Sequence, residues 1–457
     1  MSIAASVTEL ASSFTGQLLQ PTDAGYDDAR RVHNGLIDKR PALVARCRGT
    51  ADVADAVKLA RTLDLEVAVR GGGHNVGGRG TIDGGLMIDL SPMKGVQVDA
   101  AGRLARAEGG VLWKEFNRET QVYGLATTGG VVGSTGLGGL TLGGGLGWLM
   151  TKYGLALDNL TRVELVLADG SVRTASATEN SDLFWAVRGG GGNFGIATSL
   201  EFQLHQVGPM ITGGLVAHPL QRGFDVLRFF RDQCAKAPDE LMLVAGLLSA
   251  PDGSGAKLAG IVACHSGPLK DGETAVRDIK AFGPPVMDAM GPIPYCAQNG
   301  LLDGAFPKGA LNYWKANFLT ELSDDAIRAM LEAFSACPSP MSQMVIEHFH
   351  GAASRVPVSD TACAMRIDGF NVVIISQWTD PKQNQQHTAW CRDTYAALQP
   401  YLGSFRYVNY LEDDAPGDPA AVVYGPNYAR LRDVKTKYDP KNFFHYNVNI
   451  KPLNLES

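Results

Sequence analysis

Three glycine-dense segments in the first half of the chain, Gly71–Gly73, Gly129–Gly147 and Gly189–Gly195, constrain its fold more than any other feature. Such density disfavours regular helix and lets backbone lie directly against a flat or charged ligand. The first segment, Val69-Arg70-Gly71-Gly72-Gly73-His74-Asn75, closes an apolar run from Leu65 to Val69 that reads as a buried strand. Residues without side chains let N–H groups gather round an anion, typically a phosphate, and His74 then stands beside it with a nucleophilic ring nitrogen. Taken alone, the motif equally describes a turn followed by a hydrogen-bonded histidine. The second segment runs from Gly129 through Ser134-Thr135-Gly136-Leu137-Gly138-Gly139 to Gly143-Gly144-Gly145-Leu146-Gly147. In the third, Gly190, Gly192 and Gly195 satisfy G-x-G-x-x-G. A helix precedes that motif and a strand follows it, the wrong order for a nicotinamide-binding βαβ unit. Three loops wrapped round one extended dinucleotide are the economical reading.

The 457 residues exceed one ordinary core, so two domains are expected. A net charge of -6 argues against nucleic acid as the main partner. Seven scattered cysteines without Cys-x-x-Cys spacing fit reduced thiols and no zinc site. The stretch from Met1 to Leu10 lacks a basic start and a long apolar core, and no apolar run is long enough to span a membrane. A cytoplasmic location, no membrane or nucleic-acid partner and a monomeric state are the expectations.

Thr50 is expected to cap a helix reaching Leu63, with Val53, Ala56, Val57 and Ala60 as its apolar stripe. Short strands are expected at Gly85 to Asp89, Gly95 to Asp99 and Leu104 to Glu108, and a helix from Val111 to Val122. Val163, Leu165 and Leu167 alternate toward Asp169-Gly170, a hairpin turn, and Ile196 to Leu204 reads as a strand. Beyond His205, strands at Leu241 to Leu248, Lys257 to Cys264, Met344 to His350 and Asn371 to Trp378 alternate with helices. That pattern predicts an antiparallel sheet with helices on one face. Tyr428, Leu431, Val434 and Tyr438 share a helical face that Asp439-Pro440 ends.

Taken together these motifs resemble the berberine-bridge-enzyme-like branch of the vanillyl-alcohol-oxidase superfamily of FAD-linked oxidases. The match covers nearly the whole chain. It runs through the His74 loop, Gly136 to Gly147, Lys152-Tyr153-Gly154 with Asp158-Asn159, Gly192 to Ile196, and Tyr424-Gly425-Pro426-Asn427-Tyr428 with Leu431, Lys435, Tyr438-Asp439-Pro440 and Asn442-Phe443. The resemblance implies an α+β fold: a two-subdomain PCMH-type FAD-binding domain, 1–205 completed by 411–457, and a substrate domain, 206–410, with an antiparallel sheet covered by helices. It implies FAD bonded through His74 and contacted by Arg70, Gly71, Gly72, Gly73, Asn75, Ser134, Thr135, Gly138, Gly139, Gly144, Asp158, Asn159, Gly195, Ile196, Tyr446, Asn447 and Asn449. Many family members add a second covalent bond from a cysteine, but Val132 stands at that position. A single bond, at His74, is therefore expected. Thr135, where the family controls oxygen access to the flavin, is smaller than leucine and points to an oxidase.

In the sugar-oxidising members a tyrosine in a Tyr-x-Asn-Tyr strand takes the hydroxyl proton while hydride passes to the flavin. Tyr407-Val408-Asn409-Tyr410 matches, making Tyr410 the candidate base, with Tyr153 and His348 next in line. Val373 falls where some members carry an assisting Glu or Gln. Glu347-His348-Phe349-His350 puts two histidines on one strand face, as a metal site would, but no clear third ligand accompanies them, so no metal is expected. Trp314, Tyr313 and Trp378 are candidates for stacking on a sugar or aromatic ring. The implied activity is oxidation of a substrate alcohol, first the anomeric hydroxyl of a mono- or oligosaccharide such as a cellobiose-type disaccharide, to a lactone. O2 is reduced to H2O2. The alternatives are oxidation of a natural product (an alkaloid, polyketide or aromatic alcohol) and a flavin-binding protein without turnover.

Overall fold

The Val53, Ala56, Val57 and Ala60 stripe is the buried face of helix Thr50–Leu63 in the computed structural model, which describes residues 7, 8, 10, 12–414 and 417–455. Most of the N-terminal stretch read for a leader lies outside the described residues. Thr50 is the first helical residue rather than the cap: Gly49 takes the cap position, and Thr50 Oγ1 donates to Glu164 at 2.8 Å. The helix covers a four-stranded sheet of order β1-β2-β4-β3 (Gln17–Leu19, Leu43–Arg46, Leu86–Asp89, Val67–Arg70). Within it β2, β4 and β3 run parallel, so the end of β3 delivers Arg70 and the glycines after it to one edge.

A second sheet has the order β5-β6-β10-β8-β9 (Val96–Asp99, Leu104–Glu108, Ile196–Gln203, Leu160–Val166, Val172–Ser176) and is antiparallel throughout. Asp169-Gly170 makes the expected hairpin between β8 and β9, with Gly170 left-handed. Beneath it Trp113, Phe116 and Phe202 pack edge to face. The C-terminal helix Tyr428–Tyr438 inserts Leu431 and Val434 into this same core, so the tail returns to the first half of the chain. A short ribbon pairs β7 (Leu125–Ala126) with β11 (His205–Gln206).

That return is locked by Lys435 and Asp439, both fully buried. Lys435 Nζ donates to Asp439 Oδ2 at 2.6 Å, Asn193 O at 2.7 Å and Phe444 O at 3.0 Å, tying the helix to the third glycine loop. Lys435→Met leaves the Asp439 carboxylate buried without its cation, which typically costs about 3–5 kcal/mol. A loss of that size is expected in guanidinium unfolding followed by circular dichroism. A change under about 1 kcal/mol would place the pair among the weak ones.

The eight strands of the third sheet all come from residues 210–378. They are β12 (Met210–Pro219), β13 (Leu241–Ser249), β14 (Lys257–His265), β15 (Met287–Asp288), β16 (Gly291–Pro294), β17 (Leu311–Leu319), β18 (Gln343–Phe349) and β19 (Gly369–Trp378). Their order is β15-β12-β14-β13-β18-β19-β17, with β16 also on β12, and every pair is antiparallel. Helices Gly223–Cys234, Leu269–Ala281, Asp324–Ser335 and Asn384–Leu398 cover one face through Phe230, Ile279, Phe334 and Trp390. Side chains alternate along a strand, so Met344, Ile346, Val372 and Ile374 sit under the helices. Their neighbours Val345, Glu347, Val373 and Ile375 face the opposite way, into a cavity. Strands β12 and β17 were not anticipated. Among the described residues no helix is long and apolar enough to cross a membrane.

Candidate active site

The first two glycine loops meet backbone to backbone. A Cβ added at Gly72 would fall 2.3 Å from the Gly136 nitrogen, and one at Gly136 equally close to the Gly72 nitrogen, so a side chain at either would separate the loops. Gly73 adopts a left-handed φ of 72°, which turns the chain toward His74. This contact brings His74 Nε2 to 2.8 Å from Ser134 Oγ. The ring of His33 stacks on that of His74 with centroids 3.9 Å apart. Burial pushes the His74 pKa down to about 3 and that of His33 to about 4. Both rings are therefore neutral at physiological pH, the form in which imidazole is a nucleophile.

One elongated cavity runs past all three loops and the tail. Of the residues expected at a cofactor, Arg70, Gly71, Gly72, Gly73, His74, Asn75, Thr135, Gly138, Gly139, Gly195, Ile196, Tyr446 and Asn447 line it. A Cβ at Gly139, Gly191 or Gly192 would touch no protein atom within 4 Å, so these loops turn their bare backbone to the cavity. Asn447 Oδ1 is buried there without a hydrogen-bond partner. Bare backbone and an unspent amide oxygen along one channel fit an extended dinucleotide. Arg70 reaches the channel while held by Asp89 at 2.6 Å.

Other expected contacts lie outside the lining. Asp158 forms a two-pronged pair with buried Arg366 at 2.7 and 2.8 Å and accepts from Leu155 N. Asn159 donates to the carbonyls of Tyr153 and Leu155 and contacts His205. These two brace the chain behind the second loop. Gly144 exchanges backbone hydrogen bonds with Thr141 and Leu157, and Asn449 is likewise not among the lining residues. Ser134 is not among the lining residues either and meets His74 instead.

At the far end, three neighbouring strands present one face. Cross-strand partners Trp314 and Ile375, Ala316, Val373 and Val345, and Asn371 and Glu347 form successive rows. Tyr410 closes this chamber, its ring against Trp314 at 6.0 Å and Tyr407 at 4.9 Å. The Tyr-x-Asn-Tyr segment is a 3-10 turn, Val408–Tyr410, rather than a strand. Tyr407 Oη accepts from Gly145 N at 2.9 Å and Asn409 Nδ2 at 2.8 Å, and Asn409 also donates to Leu140 O. The motif thus clamps the turn to the second glycine loop and leaves Tyr410 over the chamber.

Glu347 is the residue the sequence reading did not assign. Its Oε2 accepts from Asn371 Nδ2 at 2.6 Å, and its Oε1 accepts from Tyr410 Oη at 3.4 Å. Burial raises its pKa to about 7, against the lowering effect of those two hydrogen bonds. Burial and the neighbouring carboxylate push the Tyr410 phenol well above its ordinary value. A carboxylate absent at Val373 thus stands on the next strand, one row away and within reach of Tyr410. His348 lies on the other parity of β18, stacked on His350 and Phe370 beneath the helices, and does not line the cavity. Tyr153 stacks on His205 at 3.9 Å, also outside the lining. Neither of these two expected catalytic residues is brought to Tyr410; ring stacking holds both away from the cavity. Of the three aromatic candidates only Trp314 faces the chamber, since Tyr313 and Trp378 belong to the helix-covered core. Among the described residues no cluster of three or more His, Cys, Asp or Glu is placed to hold a metal.

The family model described as FAD binding domain matches residues 41–176, and that described as berberine and berberine like matches 406–451. (R)-6-hydroxynicotine oxidase of Paenarthrobacter nicotinovorans is 32% identical, the alignment covering 96% of this chain and 97% of that protein. Glucooligosaccharide oxidase of Sarocladium strictum is 29% identical over 94% of this chain and 91% of its own length. The crystal structure of 6-hydroxy-D-nicotine oxidase from Arthrobacter nicotinovorans superposes with a TM-score of 0.88 at 30% identity, covering 96% of this chain and 98% of that one. The chain belongs to the FAD-linked oxidoreductases of the berberine bridge enzyme-like family. It is an FAD-dependent enzyme with the α+β, PCMH-type fold.

Proposed function

We propose that this enzyme is an oxidase that carries FAD bonded through His74 alone, removes hydrogen from an alcohol carbon and passes the electrons to O2, giving H2O2. The observation that carries the reading is the Tyr410–Glu347 pair at one end of the channel whose glycine loops and His74 form the other walls. Bound in that channel, FAD supplies the two-electron acceptor. The protein supplies orientation and a proton acceptor. The substrate hydroxyl gives its proton to Tyr410 Oη, whose own proton moves to Glu347, and Asn371 steadies the carboxylate. The neutral His74 ring, with Nε2 engaged by Ser134, has Nδ1 left for bonding to the cofactor. The division into a cofactor unit, 1–205 completed by 411–457, and a substrate unit, 206–410, is part of this proposal.

Two substrate classes accord with this chemistry. The Tyr407-Val408-Asn409-Tyr410 motif and the glucooligosaccharide oxidase relative favour a sugar's anomeric hydroxyl. The apolar sheet face beside Glu347 favours a natural-product alcohol. Oxidase chemistry itself is tested at Thr135, which lines the cavity. Reduced wild-type enzyme is expected to reoxidise rapidly in air with stoichiometric peroxide. Thr135→Leu is expected to slow that step roughly tenfold or more while leaving anaerobic reduction unchanged, by narrowing the path of a small gas molecule. Sluggish wild-type reoxidation with a preference for a quinone would make the enzyme a dehydrogenase instead.

A further inference from the structure

The chamber beside Tyr410 is poor in polar partners. Val132, Phe306, Val373 and Ile375 are buried in one apolar cluster, with Trp314 and Val345 packed against it. Of the amides that line the cavity, Asn312, the indole partner of Trp314, and Asn34, bonded to it, are largely spent. Asn312 Nδ2 donates to Ala310 O, and its Oδ1 accepts from Trp314 Nε1 at 3.2 Å and Gln377 Nε2 at 3.1 Å. Asn34 Nδ2 donates to the carbonyls of Val76 and Asn312, and its Oδ1 accepts from Leu36 N and Asn312 N. The Trp314 indole N–H is thereby spent as well. The cations that line the cavity are engaged elsewhere: Arg70 with Asp89, and Arg79 with the Asn447 carbonyl and Asp413. Among the described residues, Glu347 and Tyr410 are the polar side chains that meet directly beside this apolar cluster, since the Asn409 amide nitrogen is spent on Leu140 O and Tyr407 Oη.

A pyranose presents four or more hydroxyls, each a donor and an acceptor. Every hydroxyl buried without a partner weakens binding roughly five- to a hundredfold. A carboxylate or phosphate would meet no cation and would face a buried carboxylate. A ring of carbon, by contrast, gains contact with Val345, Val373, Ile375 and Phe306 and an aromatic face on Trp314.

We propose that the substrate of this site is a compact, uncharged, ring-bearing alcohol with an apolar body, whose one hydroxyl is presented to Tyr410 and Glu347, and that the chamber rejects oligosaccharides. The proposal rests on the oxidase reading above. It orients the molecule as well: the ring lies along the β17–β19–β18 rows, and the carbinol carbon sits at the Glu347 end.

The test uses FAD-loaded enzyme under anaerobic conditions with indan-1-ol and 1-phenylethanol, with cellobiose and mandelate as the polar and anionic comparisons. Binding is read separately, as perturbation of the flavin absorbance by the unreactive ketone indan-1-one. The two apolar alcohols are expected to bleach the flavin, and indan-1-one to shift its spectrum. Trp314→Ala is expected to weaken the indan-1-one response about tenfold. Cellobiose and mandelate are expected to be at least a hundredfold poorer. Bleaching by cellobiose with no response to the apolar probes overturns this proposal and leaves the oxidase reading standing. A spectral shift with indan-1-one but no reduction by any alcohol supports the chamber assignment and overturns the alcohol oxidase reading. Silence from every probe overturns both.

Discussion

Tyr410→Phe is expected to slow anaerobic flavin reduction by roughly a hundred- to ten-thousand-fold, the range typical of a lost general base, with FAD still bound. The pH dependence carries the sharper information. Glu347 has a pKa near 7 because it is buried, so below that pH it holds a proton and has no room for another. Above it, the ionised carboxylate accepts from Tyr410 Oη. The wild-type reductive rate should therefore rise with pH through about 7 and level off. Glu347→Gln keeps the shape and the Asn371 contact but has no titrating group, so it should lose both rate and that dependence. The 3.4 Å separation between Tyr410 and Glu347 is long for an O–H···O contact and should tighten when substrate excludes water. Stopped-flow reduction of both variants across pH checks this. Near wild-type reduction in Tyr410→Phe would make the tyrosine a packing residue, and an unchanged pH profile in Glu347→Gln would move the titration elsewhere.

His74→Ala is expected to abolish covalent flavin completely. Acid-precipitated wild type should remain yellow, and peptide mass spectrometry should place FAD on His74 alone, since Val132 lines the channel where a second bond would need a thiol. The variant should give a colourless pellet and release its flavin on denaturation. It should still fold and bind FAD, because the contact of Gly72 with Gly136 and the bare backbone of the loops do not involve the ring. Its turnover should fall as well, since the protein link tunes the cofactor's electronics. Ser134→Ala should slow the attachment without preventing it, as the hydroxyl orients the ring rather than reacting. A flavin-bearing cysteine peptide from the wild type would refute the single attachment.

Much of the fold was legible because local physics agreed with tertiary demand. Helix Thr50–Leu63, the β8–β9 hairpin and the C-terminal helix each carry a hydrophobic period that matches their burial, and β13, β14, β18 and β19 are apolar runs of strand length that the fold buries. Strand β17 was missed because Asn312, Lys315 and Asn317 interrupt its pattern. Its amides find partners far away in sequence, such as the Gly403 carbonyl for Asn317. Strand β12 was missed because Gly213-Gly214 breaks it, yet a side chain at Gly213 would meet Gln298 and one at Gly214 the Ala289 carbonyl.

The amino-acid sequence alone made the three cavity-lining glycine loops legible. The placement of the glycines, His74, Ser134 and Thr135 depends on backbone freedom and local reach, which short stretches of chain encode. The sequence did not determine which side chains meet at the other end. In Met344-Val345-Ile346-Glu347-His348-Phe349 both faces of the strand are apolar, so alternation says that Glu347 and His348 point oppositely but not which one meets the cavity. Tertiary packing decided that: the helices that bury Met344 and Ile346 take His348 with them, and the register with β19 sets Glu347 opposite Asn371, within reach of Tyr410. A carboxylate and a phenol 63 residues apart in sequence become a pair because two layers of structure claim opposite faces of one strand.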